Sequence, residues 1–247
     1  KKRKEKNLMK IIKGDEKVIA CIEKDDTNEQ KLIEMIESVQ ANGVTDYKVD
    51  AKNPRLYSKG GLLYSKKKTM PNGKVKLMLI SVPPDKKGTV KVAYGTEIIA
   101  GDAFADSKAS KVILPETVTA ITPYAFNNCE NLKEVIIPET VEEIQYEYED
   151  SPFENCGAER VVIKNELMST ECFDGEVKLK EIVAEAGVVE GSFPNLETLV
   201  IGEKVSVIGR IEAENLKSLQ LGGNKDTNME WAGFSDIKSL EKVVISG

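Results

Sequence analysis

Groups that could carry chemistry are few in this sequence, and their spacing is informative. Histidine is absent. That removes Ser-His-Asp and Cys-His catalysis in cis, histidine metal sites and histidine pH switching. The four cysteines are Cys21, Cys129, Cys156 and Cys172. No Cys-x-x-Cys occurs, so a zinc or dithiol redox motif has no footing. Cys129 and Cys156 each stand three residues after a phenylalanine, and Cys172 directly precedes Phe173. Buried thiols packing as small hydrophobes are expected, and a Cys129–Cys156 disulfide stays open in an oxidising compartment. Carboxylates are abundant, so a two-carboxylate glycan hydrolase fits the composition. Yet 31% of the residues are charged, and such pairs in a chain of this kind mostly face water. Glu142, Glu143, Tyr146, Glu147, Tyr148, Glu149 and Asp150 cluster, but without the ordered spacing of a calcium loop. Tyr146 and Tyr148 suit a recognition loop instead. Gly60-Gly61 and Gly222-Gly223 are not followed by Gly-Lys-Ser/Thr, and read as turns rather than phosphate loops. No catalytic residue, metal or cofactor is expected.

The elements that must position any site are set by charge and hydropathy patterning over 247 residues with a net charge of −6. Residues 1–6 carry five basic groups and one acidic group. The remainder is therefore strongly acidic and is no footprint for nucleic acid. No apolar run approaches the ~20 residues of a membrane-spanning helix. No apolar signal core follows the basic start, so either the protein is made without an export signal or one was removed ahead of Lys1.

Residues 1–43 read as an N-terminal cap and residues 44–247 as a second unit. Leu8–Ile12 and Lys17–Ile22 are β-prone runs around a turn-rich Lys13-Gly14-Asp15-Glu16, predicting a hairpin. Thr27 to Gln30 fits a capping box. Leu32, Met35, Ile36 and Val39 share one helical face, and Asn42-Gly43 supplies the stop.

Beyond Val44 short β-branched runs recur. Their last residues are 92, 114, 137, 163, 184, 201, 221 and 245, with steps of 22, 23, 26, 21, 17, 20 and 24 residues. A second register agrees. All six phenylalanines (Phe104, Phe126, Phe153, Phe173, Phe193, Phe234) fall once per repeat, each after the β-branched run. The residue before each is small or proline, and Ile211 stands at the matching place in the repeat without one. A stacked aromatic spine is predicted. The third repeat carries an insert: Ile121 to Phe126 is a step of five, and Ile144 to Phe153 a step of nine.

Residues 111–132 and 133–144 pair a strand ending in Pro with Val-x-x-Ile; in residues 111–132 an Ala-Phe turn, a Cys and a Leu follow. This pattern resembles the BspA-type leucine-rich repeat. Asn53-Pro54, Tyr57, Gly60-Gly61-Leu62-Leu63-Tyr64 and Pro83 resemble the strand-rich opening unit of that family. The similarity extends over roughly residues 44–247, is most specific over 90–158 and weakens from Asn165, where the Pro and Cys positions are lost. The resemblance implies an α/β chain, mostly β: a leucine-rich-repeat solenoid with a parallel sheet on one face, preceded by the hairpin-helix cap. It also implies a non-catalytic protein, exported or displayed on a cell surface.

Strand alternation places a functional face. If Val135 and Ile137 point inward, Ile136 points out. The same column holds Lys91, Ile113, Val162, Val183, Val200, Gln220 and Val244. The adjacent outward column (Lys111, Glu134, Arg160, Glu181, Thr198, Ser218, Lys242) is polar. An aliphatic ridge is therefore expected, either ordinary β-propensity or a binding surface. The functional expectation is a non-enzymatic module, secreted or at the cell surface, that takes a protein or glycan ligand, host or cell-surface in origin. Its binding residues are Ile113, Ile136, Val162, Val183, Val200, Val244, Tyr146 and Tyr148. The alternatives are an intracellular interaction scaffold and a glycan hydrolase. Val243-Val244-Ile245 has no polar cap after it, which predicts self-association through that edge or a natural chain that continues.

Overall fold

The computed structural model describes residues 9–14, 17–25, 29–40, 42–66, 68–69, 75–144, 151–223, 226–229, 232–235 and 237–246. The chain opens with β1 (Met9–Lys13), β2 (Val18–Ile22), α1 (Glu29–Gln40) and β3 (Asp46–Val49). β1 and β2 form the hairpin, and β3 joins β2 in parallel. Alternation turns Ile11, Ala20 and Tyr47 to one face, where Met35 and Val39 of α1 cover them. Gly43, with φ at +65°, stops the helix in the left-handed conformation. The capping box at Thr27 lies outside the described residues. The same small core includes Leu56 and Leu63, so this unit packs on the strands that follow it. The Tyr47 hydroxyl and Ser81 Oγ, 2.9 Å apart, link the two.

An antiparallel lead-in of β4 (Leu56–Lys59) and β5 (Leu62–Ser65) turns at Gly60-Gly61, both at positive φ. A short pair, β6 (Lys68–Thr69) and β7 (Val75–Lys76), precedes β8 (Met78–Ser81). The winding then begins with β9 (Gly88–Lys91), β10 (Ile98–Ile99), β11 (Ala109–Ile113), β12 (Ala120–Ile121), β13 (Glu134–Ile137), β14 (Glu143–Ile144) and β15 (Arg160–Ile163). It continues through β16 (Glu181–Ser192), β17 (Thr198–Glu212), β18 (Ser218–Gly222), β19 (Gly233–Ser235) and β20 (Lys242–Ser246). One long parallel sheet runs in the order β20-β18-β17-β16-β15-β13-β11-β9, with β19 attached to β17. A second runs β14-β12-β10-β8-β5-β4. The chain is thus a mostly β solenoid, as expected, with one α-helix among the described residues, and one continuous core runs between the sheets.

The phenylalanines fill that core. Rings 104, 126, 153 and 173 stack in sequence with centroids 4.7, 5.2 and 4.4 Å apart. Phe193 is fully buried, while Phe234 in the last turn is half-buried. Ile211 lies opposite Phe234 as expected, but on its other side it faces Gly191 and not Phe193. The cause is a run of register shifts along β16–β17. There the short strand-turn-strand of earlier repeats gives way to two long bent strands. Gly187 makes the bend possible: its φ is +93°, and a Cβ there would lie 2.3 Å from the Met168 carbonyl oxygen.

The turns repeat a second device. Asp106, Asn128, Asn155 and Gly175 each stand two residues after a phenylalanine and take positive φ. Small polar residues and glycine tolerate that conformation best. Their N–H groups lace one turn to the next, Asp106 to Asn127 O and Asn128 to Glu154 O at 3.0 Å each, and Gly175 to Ser192 O at 2.9 Å.

Candidate functional site: the outer face of the long sheet

The pairing register sets the face. Lys91 lies beside Ile113, and Lys111 beside Glu134. Ile136 then pairs with Val162, Val162 with Val183, Val183 with Val200, Val200 with Gln220, and Gln220 with Val244. The outward column therefore runs unbroken across the sheet, one residue per strand. Its members alternate with core residues Val135, Ile137, Val161, Ile163 and their equivalents.

Exposure within the column is uneven. Ile113 is 40% exposed; Ile136, Val183 and Val200 are half-buried; Val162 is 5% exposed. Val162, expected among the binding residues, faces outward but is nearly covered. Ile136 and Val183 flank it across the sheet. It forms the floor of the ridge and offers a partner almost no surface. Val244 lies on β20, whose residues are all exposed. Tyr146 and Tyr148 lie outside the described residues.

Sequence reasoning recorded the neighbouring polar column but missed its charge order. Lys111 Nζ lies 3.1 Å from Glu134, Arg160 Nη1 lies 2.7 Å from Glu134, and Arg160 Nε lies 3.0 Å from Glu181. The row alternates in sign and is paired end to end. Hydrogen bonds from Lys111 and then Arg160 hold the Glu134 carboxyl below its ordinary range. The signal was present in Lys, Glu, Arg and Glu at one position of successive repeats. Reading it required the register.

The thiols serve the core. All four cysteines are free, with Cys129, Cys156 and Cys172 buried. Cys129 donates to Phe104 O at 3.0 Å and Cys172 to Ser169 O at 3.3 Å. Burial pushes the Cys156 thiol up to about 12 and the other two upward as well, which withholds the reactive thiolate. Cys21 is half-exposed, because register turns it to the outer face of the N-terminal sheet with Lys10 and Lys48.

Glu176 is a carboxyl raised to about 7, by desolvation first and by Glu154 second, while backbone hydrogen bonds from Cys156 and Asn155 and the Lys178 charge oppose the rise. It thereby takes a rung in the turn-to-turn lacing: where Asp106, Asn128 and Gly175 donate to carbonyls, Asn155 donates to this side chain. That use is structural. Among the described residues no group of three or more Cys, Asp or Glu is placed to hold a metal ion. No helix among them is long and apolar enough to cross a membrane.

Comparison with known proteins agrees with this architecture. Residues 97–211 match the BspA-type leucine-rich repeat region in six copies. A leucine-rich repeat protein of Eubacterium ventriosum is 18% identical, with 91% of this chain and 56% of that one covered and a TM-score of 0.51. A leucine-rich cell surface protein of Faecalibacterium prausnitzii is 16% identical over 83% of this chain and 42% of its own, with a TM-score of 0.31. The pneumococcal vaccine antigen PcpA is 17% identical over 83% and 50%, with a TM-score of 0.41. The first of these shows the fold; the other two superpose too loosely to add to it. The chain spans about half the length of each of these three solved structures. No curated protein matches it. The chain thus has the fold of a leucine-rich repeat protein, and its residues 97–211 match the BspA-type repeat region.

Proposed function

We propose that this chain is a non-enzymatic binding module of a secreted or surface-displayed protein, and that it takes a protein or glycan on the outer face of the long sheet. The observation that carries the reading is the unbroken aliphatic column from Ile113 to Val200, in register across five adjacent strands. A polar group would cost little at an exposed rung such as Ile113, and a contiguous apolar line on an outward face is unusual on an inert surface. Repeats of this type generally serve binding at surfaces, which supports the same reading. The immobilised chain is to be screened against arrays of purified extracellular proteins and of glycans. A ligand lost in Ile136→Asp, with the melting temperature unchanged, is the expected result. Ligands indifferent to the sheet face, or none on either array, would overturn the proposal. Labelling of intact cells with an antibody against the chain tests the location, and signal only after permeabilisation would contradict it.

A further inference from the structure

Two adjacent outward columns of the long sheet narrow the chemistry of what it can take, granted that this face is the binding surface. The central column is aliphatic from Ile113 to Val200. On one side the charges of Lys111, Glu134, Arg160 and Glu181 neutralise one another, each within 3.1 Å of its partner. No aromatic ring stands in either column among the described residues.

Each point excludes a ligand class. A polyanion needs unpaired cations in a row, and here each cation in the flank is followed by an anion that already holds it. A sugar needs converging polar groups matched to its hydroxyls and a flat apolar ring face to lie on. The ridge is narrow, branched and without hydrogen-bonding groups. What it can bury is aliphatic or aromatic side chains, since apolar surface removed from water is its one source of affinity. Strands in a sheet lie about 4.8 Å apart, so Ile113 and Val200 are separated by about 19 Å, the length of roughly six extended residues.

We propose that the ridge binds an uncharged, apolar segment of polypeptide, and that this binding is insensitive to salt. The probe is a displayed library of random linear peptides, selected on the full immobilised chain. Enriched peptides should be rich in aliphatic and aromatic residues and poor in charge. Synthetic copies should bind with affinity constant within about twofold from low to high salt, because no screened ion pair forms. They should weaken by at least about tenfold against the double variant Ile113→Asp, Val200→Asp. Ile113→Asp alone, at the most exposed rung of the ridge, repeats the measurement should the double variant lose its fold. Charged peptides, affinity that falls with salt, indifference to these substitutions, or no enrichment would overturn the proposal. Heparin or a neutral polysaccharide that binds the chain and is lost in the same variants would leave the sheet face as the binding surface and overturn the assignment to polypeptide.

Discussion

Single residues show most plainly which parts of the solenoid are stressed by packing. Phe126 is stacked between Phe104 and Phe153 and is 1% exposed. Phe126→Ala should cost about 3–5 kcal/mol in equilibrium denaturation, the usual range for a buried aromatic ring. The outward column makes a sharper comparison, because two aliphatic residues of one register differ in cover. Val162→Asp buries a carboxylate beside Ile136 and Val183 and should lower stability by several kcal/mol, of the order of 3. Ile113→Asp should change it by less than about 0.5 kcal/mol, as exposed substitutions do. Thermal melting of the two variants side by side decides the matter, and equal losses would mean that the face is covered throughout. The thiols give an independent reading of the core. Cys21 should react with a thiol reagent in the native protein, while Cys129, Cys156 and Cys172 should react only after unfolding.

At the scale of elements, the rung two residues after a phenylalanine is laced by backbone hydrogen bonds at Asp106, Asn128 and Gly175, and by the Glu176 carboxylate at Asn155. Burial raises this carboxyl from an ordinary 4.5 to about 7. The folded chain therefore binds the proton more tightly than the unfolded chain does. The stability so conferred is fully present below pH 4.5 and is lost as pH rises through about 7. Glu176→Gln keeps an acceptor for the Asn155 and Cys156 N–H groups and removes the titration. Its melting temperature, relative to wild type, should rise progressively between pH 4.5 and 7. Parallel curves across that window would show that the carboxyl is not shifted. The ion-paired row on the sheet belongs to the same scale, but its members are partly exposed and contribute little to stability individually.

The whole molecule is quasi-one-dimensional, each turn resting on its neighbours, so its ends differ from its middle. β20 pairs with β18 on one side and is exposed along its length, with Ile245 73% exposed though it continues the core column of Ile201 and Leu221. An exposed strand with apolar side chains pairs readily with another. Light scattering over a concentration series on this chain should show mass rising with concentration, and Val243→Lys should suppress the rise. A constant monomer mass at high concentration would contradict this.

The sequence by itself determined the solenoid, the aromatic spine and the two sides of each long-sheet strand. All three are periodic along the chain: a residue's orientation in a strand is local, and every turn must present the same kind of side chain to the layer beside it. The N-terminal hairpin and helix were legible from local signals: β-prone runs around a turn-rich stretch, apolar spacing on one helical face and the Asn42-Gly43 stop. Only the tertiary structure decided how far each outward residue is covered. That depends on contacts made across strands, and Val162 and Ile113, alike in sequence pattern, end at 5% and 40% exposure. Register shifts over β16 and β17 moved Ile211 off the Phe193 rung, since glycine bends add residues on one strand without marking the other. The alternating charges of the flank and the rung supplied by Glu176 were decided there too. Each is a contact between residues twenty or more positions apart, and such contacts exist only once the turns are stacked.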